Sequence, residues 1–168
     1  MTGDRLAAAR AELDAARARV PKVHCKGICT DACGPVGGGV FEMNLIRRAG
    51  VVIPPRKEGM RRLIASGGAY RCPALVDGDC AVYGDRPMVC RVWGASEMMP
   101  CPYGCKVDGP LLTRAETLWL IDAAMHVGLC EDAKPLEWWE RSSDRSLEAN
   151  KMFDALRPAA EPRTPKRR

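Results

Sequence analysis

The chain has 168 residues, 46% of them hydrophobic but only 5% aromatic, with 16 Gly, 13 Pro and nine Cys. That length fits one domain with a modest core, and so many turn formers beside so few aromatics predict less apolar packing than usual for this length, with metal ligation supplying the missing cohesion. The net charge of +5 gathers at the C-terminus: residues 157–168 carry five Lys/Arg and one Glu, leaving 21 basic against 20 acidic residues over 1–156.

The first twenty residues are charged throughout and contain no apolar stretch of the kind that opens a secretory signal. No run approaches the length of a membrane span. A cytoplasmic, reducing location is the expectation, and there nine cysteines signify metal or redox chemistry rather than a disulfide framework.

Residues 4–20, rich in Ala, Leu, Arg and Glu, predict a helix capped by Thr2 or Asp4 and closed by Pro21. Its apolar stripe of Leu6, Leu13, Val20 and alanines predicts packing on the domain surface in preference to partner binding. The segment CKGICTDAC then places Cys25, Cys29 and Cys33 at equal spacing, which on a helical turn puts the three thiols on one side. Gly37 to Gly39 mark a loop; no Gly-Lys-Ser/Thr follows and no dinucleotide fingerprint is present. Residues 40–49 predict a short helix stopped near Gly50. Val51 to Ile53 read as a brief strand or an extended link before Pro54-Pro55. Residues 57–66 predict another helix, with Met60, Leu63 and Ile64 inward and Gly67-Gly68 at its end.

Five further cysteines fall between residues 72 and 105: Cys72, Cys80, Cys90, Cys101 and Cys105. Ala74–Val76 and Cys80–Tyr83 flank Asp77-Gly78-Asp79 and predict a small hairpin that brings Cys72 toward Cys80. Pro87 predicts the start of a helical turn carrying Cys90 and Arg91. Thr113 to Glu116 forms a capping box opening the clearest helix, with Leu118, Ile121, Ala124, Met125 and Leu129 on one face and Gly128 at its end. A later helix is expected over about 144–156, with Leu147, Met152, Phe153 and Leu156 inward. The Pro-rich basic tail is expected to be disordered.

Cysteines gathered into short runs rich in Gly and Pro suit soft-ligand metal sites, either zinc or an iron–sulfur cluster. The candidate ligands are Cys25, Cys29, Cys33, Cys72, Cys80, Cys90, Cys101 and Cys105. Cys130, after Leu129 at a helix end, reads as a small buried hydrophobe. His24 is an alternative zinc ligand and His126 a packing or surface residue. Arg86 and Arg91, flanking Cys90, either pair with Asp77 or Asp85 or place positive charge on a thiolate centre. Tyr83 reads as a packed aromatic with its hydroxyl tied to backbone, and Trp138-Trp139 as core or a partner patch. Two histidines and scattered serines form no catalytic triad.

The run Cys72-Pro73…Cys80-Ala-Val-Tyr83-Gly-Asp-Arg86-Pro87-Met-Val-Cys90-Arg91 resembles the signature of the YkgJ-type cysteine-cluster family, a zinc- or iron-chelating domain. The resemblance covers about residues 25–105. The first cluster departs from the family pattern: Cys33 is followed by Gly34 where the family has an adjacent cysteine pair, and Cys101 with Cys105 is the candidate replacement. The resemblance implies iron or zinc binding, in some relatives an iron–sulfur cluster. The family's members include a flagellin lysine methylase, so the resemblance implies no single reaction.

The expected fold is a small, mostly α, irregular, metal-stabilised domain with short helices and at most one short β-hairpin. The expected organisation is an N-terminal helix at 1–21, a cysteine-cluster domain at 22–156 and the tail at 157–168. The leading expectation for function is metal binding in a structural or redox role. Its rivals are an enzyme using an iron–sulfur cluster for electron or group transfer, and a nucleic-acid- or ribosome-associated module with a structural metal. The expected partners are a metal ion or cluster, together with a protein or nucleic acid engaged by the basic tail, and no membrane.

Overall fold

The computed structural model describes residues 3–128. Cys130, Trp138-Trp139, the helix expected over 144–156 and the basic tail lie outside the described residues. The described chain is mostly helical with short elements, as its composition predicts. Five α-helices run in order: α1 (Gly3–Ala18), α2 (Val40–Arg48), α3 (Arg56–Ala65), α4 (Met88–Val92) and α5 (Arg114–His126). Two antiparallel hairpins, β1–β2 (Leu75–Val76 with Asp79–Cys80) and β3–β4 (Ala95–Ser96 with Met99–Pro100), lie between α3 and α5.

The core forms where α1, α2 and α4 close on α5. Leu13, Phe41, Met88, Val92, Leu120 and Ala124 are buried together there, with Leu6 and Val20 packed at the edge. The thin alanine stripe of α1 is what allows this approach, because Ala9 and Ala16 present no bulk and Leu13 fills the gap fully. The helix α5 is central. It buries Thr117, Leu118, Leu120 and Ala124, so neighbours cover more of it than the predicted single stripe requires. Its N-cap forms as predicted: Thr113 Oγ1 accepts from Glu116 N–H at 3.3 Å, and Glu116 Oε2 accepts from Thr113 N–H at 2.8 Å.

Gly39, at the start of α2, lies against the C-terminal turn of α5, and a Cβ there would collide with the Ala124 carbonyl. Next to it Glu42, 1% exposed, accepts from Gly39 N–H at 3.1 Å and from Met88 N–H at 2.8 Å. One carboxylate thus joins the start of α2 to the start of α4. Burial, the dominant influence, raises the Glu42 pKa, against those two hydrogen bonds and the charges of Arg17 and Arg91.

The predicted inward face of α3 is not buried. Ile64 is 66% exposed, Met60 and Leu63 are half-buried, and the buried residue of this helix is Gly59, close against Pro35. Amphipathic spacing does not bury a helix that lies beside a loop instead of the core. The β1–β2 hairpin forms with Leu75 opposite Cys80, turning on Asp77 and Gly78 at φ 50° and 87°. A second hairpin, β3–β4, adds to the one expected. Its turn is held by Met98 N–H donating to Ser96 Oγ at 3.1 Å, and Ser96 Oγ lies 2.7 Å from Thr117 Oγ1 on α5.

Candidate metal centre

All eight candidate cysteines lie in the described part of the chain, and none is in a disulfide. Folding brings them together from distant positions. Residues 22–26 run alongside residues 103–108: Val23 bridges Val107, His24 N–H donates to the Lys106 carbonyl at 2.8 Å, and Asp108 N–H donates to the Lys22 carbonyl at 2.9 Å. Lys26 Nζ reaches the Tyr103 carbonyl at 2.8 Å. This pairing sets the first cysteine run beside Cys101 and Cys105. Lys26 N–H donates to Cys105 Sγ at 3.4 Å and Gly27 N–H to Cys25 Sγ at 3.3 Å. Backbone N–H groups aimed at sulfur are donors that stabilise a thiolate.

The electrostatic neighbours of each thiol divide the cysteines. Burial first, then the charges of Cys25 and Cys33, push the Cys29 thiol up to about 12, with Cys101 contributing further. The Cys105 thiol is raised, first by burial and then by Cys101 and Cys25. For Cys101 burial acts upward, but N–H groups of Cys105 and Tyr103, the Cys105 thiol and the Lys26 charge bring it below its ordinary value. These four form one neighbourhood, at residues 25, 29, 101 and 105.

A second neighbourhood surrounds the β1–β2 hairpin. Cys72 and Cys80 both pack against the small cluster of Ile46, Ala74 and Val82. Cys90, on α4, is pushed up to about 12, first by burial and then by Cys72, Cys33 and Cys80, while Arg86 acts in the opposite direction. Cys72 is raised by burial and by Cys80. Cys33 follows the 3-10 turn Thr30–Ala32 and adjoins both neighbourhoods, through Cys29 on one side and Cys90 on the other.

Among the described residues, no group of three or more His, Cys, Asp or Glu side chains is drawn tightly enough to hold a metal ion. The thiols are neighbours without a closed ligand sphere. Thiols that accept backbone N–H donors, as Cys25 and Cys105 do, are of the ligand type that soft metals take. His24 is turned elsewhere, with Nε2 at 2.7 Å from Asp108 Oδ1. His126 pairs with Asp122 at 3.4 Å.

Of the two carboxylates named as partners for Arg86 and Arg91, Asp85 makes its ion pairs with other arginines. Asp85 pairs with Arg10 at 3.1 Å and Arg17 at 3.4 Å. Arg86 stacks over the Tyr83 ring at 3.7 Å, and Arg91 donates to the Gly84 carbonyl. Tyr83 is therefore not the packed aromatic expected: it is 54% exposed and serves as a platform for Arg86. Sequence reasoning missed Glu42 and Arg17, the buried charges beneath this turn. The Gly39-x-x-Glu42 spacing at a helix start was the available signal for Glu42; for Arg17 there was none.

Comparison with known proteins finds no family model, no curated protein and no solved structure that matches this chain.

Proposed function

We propose that the protein binds metal through its clustered cysteines, as zinc or an iron–sulfur cluster, in a structural or redox role. The observation that carries this is the pairing of residues 22–26 with 103–108, which brings Cys25 and Cys29 to Cys101 and Cys105 without a disulfide. A chain that gathers thiols from opposite ends of its described length, with N–H groups donating to sulfur, has the chemistry of a thiolate ligand set. In this reading Cys25, Cys29, Cys101 and Cys105 serve one centre and Cys33, Cys72, Cys80 and Cys90 a second. Arg86 supplies positive charge beside Cys90. The reading places the chain with the cysteine-cluster domains that its 72–91 signature resembles, in a reducing compartment such as the cytoplasm. Among the described residues no helix is long and apolar enough to cross a membrane.

Metal and sulfide content of protein purified without oxygen tests the proposal. Iron with sulfide and a brown colour identifies a cluster; zinc in a colourless protein identifies a structural site. A folded protein that carries neither and takes up neither on reconstitution overturns it.

A further inference from the structure

We propose that Cys101 and Cys105 are a redox couple, which a peroxide joins as a disulfide while the thiols around the β1–β2 hairpin stay reduced. Residues 101–104 form a tight turn, closed by Gly104 N–H donating to the Cys101 carbonyl at 3.3 Å, with Gly104 at φ 63°. The turn folds the Cys101 side chain back over the residues that follow it. Its sulfur accepts the N–H groups of Tyr103 and Cys105, and the two thiols are hydrogen-bonded to each other. Sulfurs already in contact across a five-residue turn reach bonding distance mainly by rotation of their side chains.

The second observation is access. No residue of 22–30 or 101–108 is buried, so solvent reaches the neighbourhood of residues 25, 29, 101 and 105 from both of its segments. By contrast Cys72, Cys80 and Cys90 each stand two residues before a buried core residue: Ala74, Val82 and Val92, at 2%, 5% and 0% exposure. Oxidation follows exposure and the nearness of a resolving thiol, and both favour the pair at the turn. One sulfur attacks the peroxide: an S–O bond forms, the O–O bond breaks, and the leaving oxygen departs as water. The second sulfur then attacks the sulfenic acid: the S–S bond forms, the S–O bond breaks, and a second water leaves. The two sulfurs give two electrons to the peroxide, and their two protons pass to the waters. A small thiol restores the pair by exchange. The consequence for metal rests on the reading above: the centre is left with Cys25 and Cys29, too few thiolates to hold a soft metal, and releases it.

The test uses the full chain purified without oxygen, with its metal content measured first. It is exposed to hydrogen peroxide, quenched with N-ethylmaleimide at intervals and mapped by mass spectrometry after tryptic digestion. Residues 92–106, between Arg91 and the cleavage after Lys106, form one peptide holding Cys101 and Cys105 and no other cysteine. That peptide is expected to lose both alkylation sites and two hydrogens several-fold faster than Cys72, Cys80 and Cys90 lose theirs, and dithiothreitol is expected to restore it. Where metal is present, part of it should leave in step with the disulfide. In Cys105→Ser the disulfide should vanish and dimedone should label Cys101 as the sulfenic acid. A chain that holds no metal and still forms the disulfide counts against the metal reading and for the couple. Alkylation of Cys101 and Cys105 that peroxide leaves unchanged overturns the proposal. So does a wild-type disulfide from Cys101 to Cys25 or Cys29, or oxidation of Cys72, Cys80 and Cys90 at the same rate.

Discussion

The helical half of this molecule and its cysteine-bearing half are held together by different means. Around α5, ten buried residues form one continuous apolar cluster, drawn from α1, α2, α4 and α5 together with Leu112 and Val127 on either side of α5. Beside the β1–β2 hairpin the corresponding cluster has three, Ile46, Ala74 and Val82, edged by Cys72 and Cys80. The contrast teaches where cohesion must come from. The helices bury enough to hold one another, whereas residues 22–35, the β1–β2 hairpin and residues 101–108 are joined by backbone hydrogen bonds and an isolated bridge and bury little. On the reading proposed above, metal supplies what the second half lacks.

The largest effect should therefore follow loss of metal, and it should be regional. Ligation in the folded state contributes on the order of 10 kcal/mol for a structural zinc. Removal with a chelator is expected to expose both cysteine runs to proteolysis while far-ultraviolet dichroism retains most of the helical signal. Cys29→Ser and Cys90→Ser are each expected to lower the metal stoichiometry, because serine keeps the size and removes the soft ligand. Cys130→Ser is expected to retain full metal. Full occupancy in both Cys29→Ser and Cys90→Ser would return these residues to simple packing thiols.

The reverse experiment weakens the helical half alone. Leu13 is fully buried at the α1–α5 contact, so Leu13→Ala is expected to cost about 2–5 kcal/mol in denaturant unfolding while metal content of the folded protein stays the same. A parallel loss of metal would show that the two halves are one cooperative unit.

The buried carboxylate Glu42 sharpens the comparison through pH. Its folded pKa lies above the ordinary carboxylate value, with burial as the main cause. In the interval between the ordinary and the raised value, the folded state binds more protons than the unfolded state. Stability from this group is therefore greatest below that interval and falls as pH rises through it. Glu42→Gln is expected to flatten this slope in unfolding measurements across the acidic range. An unchanged slope would assign it to other groups.

Legibility from sequence followed the same division. Helices whose limits are marked by local chemistry were readable: α2 and α5 begin and end within a residue or two of their expected bounds, because caps and glycines act over a single turn. The β1–β2 turn was readable for the same reason, since Asp77-Gly78 accepts positive φ. The β3–β4 hairpin was not. Its turn at Glu97-Met98 carries no Gly or Asn, and it is held by Ser96 against Thr117, a contact with α5 that no local pattern encodes. The eight thiols were identifiable as candidates by type and spacing. Their division between two neighbourhoods depends on residues 22–26 meeting 103–108, a pairing about eighty positions apart in the chain.

The smallest expected effect tests whether a helix end in the apolar half matters to the thiols at all. Thr113 Oγ1 accepts from Glu116 N–H, and Glu116 Oε2 accepts from both the N–H and the hydroxyl of Thr113. Thr113→Ala removes the side-chain partners and is expected to cost about 1 kcal/mol. The Glu116 carboxyl is held below the usual carboxylate range, first by the Thr113 backbone N–H and then by its hydroxyl. The folded carboxyl thus binds fewer protons than the unfolded one just below the ordinary value. The cap's contribution is present above the unfolded pKa and is lost as pH falls through the folded pKa. The difference in thermal midpoint between the wild type and Thr113→Ala should accordingly narrow at low pH. Because Leu118, Leu120 and Ala124 anchor α5 beyond its first turn, fraying of that turn should leave metal content unchanged. A loss of metal in Thr113→Ala would mean that the β3–β4 hairpin, tied to α5 through Ser96 and Thr117, transmits strain from the helix start to Cys101, and the two halves would then share their stability.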